Sequence, residues 1–96
     1  MDVEYHPATV SELNSARDYY NALTSGLGDE FKSKVMMKID FLLANPLVCK
    51  EENGVRRAFL KRFPFSVLYR TDGEGLLRVL CIRHHRRHPA YGSGRN

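Results

Sequence analysis

The run Leu76-Leu77-Arg78-Val79-Leu80-Cys81-Ile82 is apolar at both odd and even positions, and this constrains the fold more than any other stretch. Successive side chains of a strand point to opposite faces of a sheet, so a half-exposed strand shows an apolar residue only at every second position. A strand from Leu76 to His84, with Leu80 and Ile82 on one face and Leu77, Val79 and Cys81 on the other, belongs in the middle of a sheet. The rest of a 96-residue chain must then supply strands to flank it and an apolar layer to lie across it.

The layer comes from the N-terminal half. Leu13, Ala16, Tyr20 and Leu23 recur at helical spacing and end before Ser25-Gly26, which predicts one amphipathic helix. Its start carries Thr9-Val10-Ser11-Glu12, the form of a capping box in which the Thr hydroxyl takes a backbone N–H and Glu12 reaches back. A second helix begins near Gly28-Asp29, with Asp29 and Glu30 at the positive end of its dipole. Its stripe is Phe31, Val35, Ile39 and Leu42, widened by Met36 and Leu43, and Asn45-Pro46 stops it. Two such helices with a short connection form an antiparallel hairpin whose apolar face needs a partner.

The partner is the sheet. Val3 to His6 reads as a short first strand stopped by Pro7. Val55 to Leu60 and Phe63 to Arg70 are further strands, with Pro64 placing the start of the latter at an edge or bulge, and Asp72-Gly73-Glu74-Gly75 is a turn. The expectation is an α+β fold in the order β-α-α-β-β-β: one domain over residues 1–96, a curved antiparallel sheet with the helical hairpin packed on one face.

Charge divides the chain. Residues 1–54 carry five Lys/Arg against nine Asp/Glu, and residues 55–96 carry ten against two. Three of these arginines and three histidines lie in a basic tail, about residues 84–96, that leaves the end of the central strand as His84-His85-Arg86-Arg87-His88-Pro89-Ala90-Tyr91. Such a surface meets phosphate or an acidic protein. A composition of 43% hydrophobic and 27% charged residues argues against disorder. Met1-Asp2-Val3-Glu4 lacks the charged start and apolar core of a signal peptide, and no apolar run approaches a membrane span of about 20 residues. A cytoplasmic protein with no membrane contact is expected, with Cys49 and Cys81 as free thiols. His84, His85 and His88 suggest no metal site, because no carboxylate follows Glu74 and the segment lacks helical ligand spacing; no cofactor is expected. The terminal Gly92-Ser93-Gly94-Arg95-Asn96 has two glycines and no apolar residue, and is expected to be loose in the free chain.

Arg62-Phe63-Pro64-Phe65-Ser66-Val67-Leu68-Tyr69, the acidic turn, the strand Leu77 to Ile82 and the ending His84 to Tyr91 together resemble toxins of the RelE/ParE superfamily of bacterial toxin–antitoxin modules. The specific parts are the aromatic-Pro-aromatic start of the third strand and the His-x-x-Arg-x-Pro-x-Tyr ending; a Trp often follows that Tyr in similar chains, and here Gly92 stands instead. The resemblance implies a type II toxin, with two possible activities. RelE-like members are ribosome-dependent, metal-independent mRNA endoribonucleases, whereas ParE-like members block DNA gyrase by protein contact.

Cleavage of RNA without metal needs a base, cations for the crowded phosphate and an acid. Tyr91 or one of His84, His85 and His88 can serve proton transfer, and Arg62, Arg86 or Arg87 the phosphate; the set carried forward is His85, Arg87, Tyr91 and Arg62. In RelE-like nucleases an Arg commonly follows the aromatic residue of the third strand, and the matching position here is Ser66. The wording of Phe63-Pro64-Phe65 and Arg86-Arg87-His88-Pro89 resembles the ParE, or plasmid stabilisation, branch more closely. A gyrase-directed toxin is therefore the leading expectation, the ribonuclease the alternative, and a non-catalytic nucleic-acid-binding module the third. The resemblance also implies a cognate antitoxin whose acidic segment docks on the sheet and the basic end. Arg56, Arg57, Arg62, Arg83, Arg86, Arg87 and His88 are the residues expected to bind target or antitoxin.

Overall fold

The computed structural model describes residues 1–96. Its elements are β1 (Asp2–Tyr5), α1 (Pro7–Leu23), α2 (Leu27–Ala44), β2 (Glu51–Glu52), β3 (Val55–Phe59), β4 (Phe65–Thr71) and β5 (Leu76–His84). The sheet runs β1-β5-β4-β3-β2, so β5 lies between two strands, as its two apolar faces require. No helix is long and apolar enough to cross a membrane.

Two features depart from the antiparallel β-α-α-β-β-β expectation. Strand β1 pairs with β5 in parallel, from Asp2 opposite Leu76 to Tyr5 opposite Val79, which makes the sheet mixed. A two-residue strand β2, absent from the expected order, pairs with Val55 and Arg56 across a turn at Asn53-Gly54. The β3-β4-β5 meander alternates direction because short turns join it, but between β1 and β5 lie the helical hairpin and three further strands. Its direction is set by that crossover, and four residues of strand carry no signal for it.

A bulge changes the faces of β5. Leu68 lies opposite Cys81 and Tyr69 opposite Val79, leaving Leu80 as the extra residue. Alternation slips by one at that point. Ile82 therefore joins Leu77 and Val79 on the helix side, while Leu80 and Cys81 both join Leu68 on the open side, correcting the expected division.

The main core lies between α2 and the sheet. Phe31, Val35, Ile39 and Leu42 meet Ala58, Phe65, Val67, Tyr69, Leu77, Val79 and Ile82. The Phe63-Pro64-Phe65 segment locks in here: Phe63 and Phe65 ring centroids lie 5.2 and 4.8 Å from that of Phe31, and Tyr20 approaches Phe63 at 5.1 Å. Such tilted and edge-on pairs add about 0.5–1.5 kcal/mol each beyond burial. The strand begins after Pro64, which lacks a ladder donor.

The helices meet closely at their connection. A Cβ on Gly28 would sit 1.9 Å from the Arg17 carbonyl oxygen, so only glycine permits this approach, and Asn21 Oδ1 accepts the Gly28 N–H at 2.7 Å. At the other end of α1 the expected capping box does not form. The cap is His6, whose Nδ1 accepts from Ala8 N at 3.1 Å, with Pro7 in the first turn and the Thr9 hydroxyl donating to the His6 carbonyl. Thr9 is thereby turned into the helix, and Glu12 is released for another task.

That task is on the outer edge of β5. The β1 ladder ends where His6 N–H donates to the Val79 carbonyl, leaving the rest of that edge unpaired. Glu12 Oε1 accepts the Ile82 N–H at 3.1 Å, and its Oε2 pairs with Arg95 at 2.9 Å and lies 3.6 Å from the Cys81 thiol. Arg95 also donates to the Leu80 carbonyl at 3.1 Å. The end of the chain is thus docked rather than loose, and Gly92 makes this possible: a Cβ there would meet Cys81 Sγ at 2.5 Å.

Candidate functional site

Strand β5 delivers Arg83 and His84 to the end of the sheet, and the chain then folds back in a series of tight turns. His85 N–H donates to the Pro64 carbonyl, and Arg87 and Tyr91 N–H groups bond His84 and His88 carbonyls. Nδ1 of His84 accepts from Arg86 N at 2.9 Å, and Nδ1 of His88 from Ala90 N at 3.0 Å. Both rings therefore act first as turn formers. Burial, then the charges of Arg86, His85 and Arg87, holds the His84 pKa below its ordinary 6.5, which resists the charging that mild acid would bring.

Arg83 is turned inward. Only 5% exposed, it donates to the carbonyls of Pro89 and Tyr91, so it ties the tail to the sheet rather than meeting a ligand. Burial and neighbouring Arg57 lower its pKa, yet guanidinium stays charged at any ordinary pH. Arg86 and Arg87 point outward and are exposed. The Tyr91 ring packs on Leu68, Leu80 and Cys81, with the Arg87 and Arg95 guanidinium groups 4.6 and 5.1 Å from its centroid.

On the open face of the sheet, Arg57 lies over Phe59 at 4.3 Å and the His85 ring lies 5.4 Å from Phe59. Ser66 is 1% exposed, and its Oγ lies 3.0 Å from His85 Nε2. A concavity of about 580 Å³ borders this group, lined among others by Arg57, Phe59, Arg83 and Pro89. Together Arg57, Phe59, His85, Arg86, Arg87 and His88 form one basic, partly aromatic end to the molecule.

Two expected members are elsewhere. Arg56 alternates with Arg57 and shares the face of Ala58; it donates to the Cys49 carbonyl on the helix side. Arg62 pairs with Glu30 of α2, also away from the tail. Phe59 was missed as a site residue, although strand alternation alone places it beside Arg57. No group of three or more His, Cys, Asp or Glu side chains is arranged to hold a metal ion.

A helical hairpin across a five-stranded mixed sheet, with a basic, tail-closed end, defines a small α+β class. A solved structure titled "Chromosomal ParDE TA system from P. aeruginosa" shares this fold at a TM-score of 0.75 and 24% identity, over 88% of this chain and 95% of that one. No curated protein sequence matches significantly. The family described as "ParE toxin of type II toxin-antitoxin system, parDE" matches residues 3–89, and the chain belongs to that family. Membership in a two-component module implies an antitoxin partner.

Proposed function

We propose that this chain inhibits DNA gyrase by protein contact, using the basic end of the sheet, and that its antitoxin silences it. The observation that carries this reading is the state of Ser66. Where a ribonuclease of the superfamily would present a cation to the phosphate, this chain has a buried hydroxyl engaged with His85. Of the other groups considered for cleavage, Arg62 is paired with Glu30 and the Tyr91 ring is packed between two arginines. Losing a preorganised charge stabiliser costs a nuclease about two to three powers of ten in rate. A docking surface, by contrast, needs only exposed complementary groups. Arg57, Arg86 and Arg87 with the Phe59 ring supply these, in a composition typical of interface anchors.

The test is a gyrase supercoiling assay titrated with purified protein, with an Arg86→Ala/Arg87→Ala variant beside it. Inhibition by the native chain that the variant loses is the expected result. Absence of inhibition, together with mRNA cleavage in a translating extract, would refute the proposal and make His85, Arg87 and Tyr91 the residues to change. Tight DNA or RNA binding that falls steeply with salt, without either activity, would support a plain nucleic-acid-binding module instead.

A further inference from the structure

Helix α2 buries Phe31, Val35, Ile39 and Leu42, and beside that stripe it carries an outer ridge where it meets the start of α1 and the end of β1. Lys32, Met36 and Asp40 follow one another at i, i+4 and i+8, so they form one row along about 12 Å of helix axis, with Met36 midway. Helix α1 lies alongside, and a shallow groove of about 270 Å³ is lined by Asn14, Lys32, Val10, Met36 and Tyr5 among others. Val10 is 56% exposed, Met36 38% and Tyr5 37%, so the middle of the ridge is an apolar patch open to water. Burial first, and then the charge of Asp40, raises the Tyr5 pKa, which places that carboxylate near the phenol at one end of the patch. Lys32 stands at the other end.

The charges decide the occupant. Neither Lys32 nor Asp40 forms an ion pair within the chain, and the neighbouring Asp29 accepts from the Asn21 amide at 3.3 Å. The ridge therefore offers one unpaired cation and one unpaired anion, each about 6 Å along the axis from Met36. A partner of a single sign would satisfy one end and be repelled by the other. A second copy turned about a two-fold axis at Met36 satisfies both, because in such an interface residue i meets j and j meets i. We infer that this face docks a second copy of the chain, with the two α2 helices antiparallel, Met36 against Met36, and Lys32 of each copy paired with Asp40 of the other. No residue of the basic end lines the groove, so Arg57, Arg86 and Arg87 of both copies stay open. With so few apolar anchors the interface is small, of the class below about 1,200 Å² that associates weakly and reversibly. The inference does not depend on gyrase being the target.

Sedimentation velocity of the full chain, over concentrations rising to millimolar, measures the equilibrium, and thermal melting of each form confirms that it is folded. The native chain is expected to pass from monomer to dimer as its concentration rises. Lys32→Asp and Asp40→Lys each set like charges against one another across the axis, and each should raise the dimer dissociation constant about tenfold or more. Both positions lie outside the core, so the fold should tolerate either change. Mixed in equal amounts, the two variants should recover native-like association, because one copy then carries two acids and the other two bases. Met36→Glu, which places two carboxylates at the axis, should weaken the dimer by a similar factor and supplies an independent check on the face. A native chain that stays monomeric throughout would overturn the inference and leave the face to a different protein. Folded single variants that dimerise as the native chain does would place the contact elsewhere and overturn it too. So would a mixture of the two folded variants that fails to associate.

Discussion

Glu12 is the side chain whose removal the fold should tolerate least on the surface of α1. Its carboxylate closes the β5 edge at Ile82 N–H and holds Arg95, with side-chain exposures of 13% and 18% for the pair. Glu12→Ala leaves the Ile82 N–H without its partner, which costs about 1–3 kcal/mol. Unpairing a fully buried ion pair costs about 3–5 kcal/mol, an exposed one about 0.2–1, and this pair lies between them. A combined loss of about 3 kcal/mol follows, and for a domain of this size it lowers Tm by about 12–24 °C. Glu12→Gln keeps the acceptor for Ile82 and loses only the charge, so it should cost about 1 kcal/mol, or about 4–8 °C. Thermal melts by circular dichroism at neutral pH measure all three proteins. A Glu12→Ala melt within about 3 °C of native would refute the edge-closing role. Equal melts for the two variants would show that charge alone matters and that the Ile82 bond contributes nothing.

Gly92→Ala should lower Tm by several degrees, because the residue has φ +78° and its Cβ would strike Cys81; an unchanged melt would mean the tail lies elsewhere in solution. Arg83→Met should free the tail, seen as faster trypsin cleavage at Arg86 and Arg87 with the rest of the chain resistant; equal cleavage rates would contradict the tie to Pro89 and Tyr91. Stability should fall on raising the pH above about 9. Burial, then Glu12, pushes the Cys81 thiol up from 9.0 to about 12, and burial likewise raises Tyr69. The unfolded chain loses these protons first, so the stabilisation is complete below pH 9.0 and fades as pH rises toward about 12. A Tm constant from pH 8 to 11 would count against it. The same burial predicts that iodoacetamide at pH 8.5 modifies half-buried Cys49 in the native protein and spares Cys81, which mass spectrometry can check.

The parts of the fold that were legible are those where one physical demand dominates. A strand apolar on both faces has to be internal, and the Phe31, Val35, Ile39, Leu42 stripe has to face it. The bulge was invisible because Leu80, Cys81 and Ile82 are apolar whichever way they point, so a one-residue slip leaves no trace in the pattern. Thr9-x-x-Glu12 has the letters of a capping box, but His6 and Pro7 compete for the same helix start and win, and the true partners of Glu12 lie far along the chain. At the site, the basic tail was plain from composition. The sorting of its arginines was not: Arg56 and Arg57 are neighbours in sequence yet serve opposite faces of the sheet, and Arg62 answers to Glu30 of a distant helix.

The parallel pairing of β1 with β5 gives the protein a temporal property. A chain leaves the ribosome from its N-terminal end, yet the first strand finds its place only beside the strand made last. Until β5 has emerged, β1 has no neighbour, Glu12 has no edge to close and the basic end is not assembled. On the proposed function, the surface for target contact is therefore assembled only once β5 has joined the sheet.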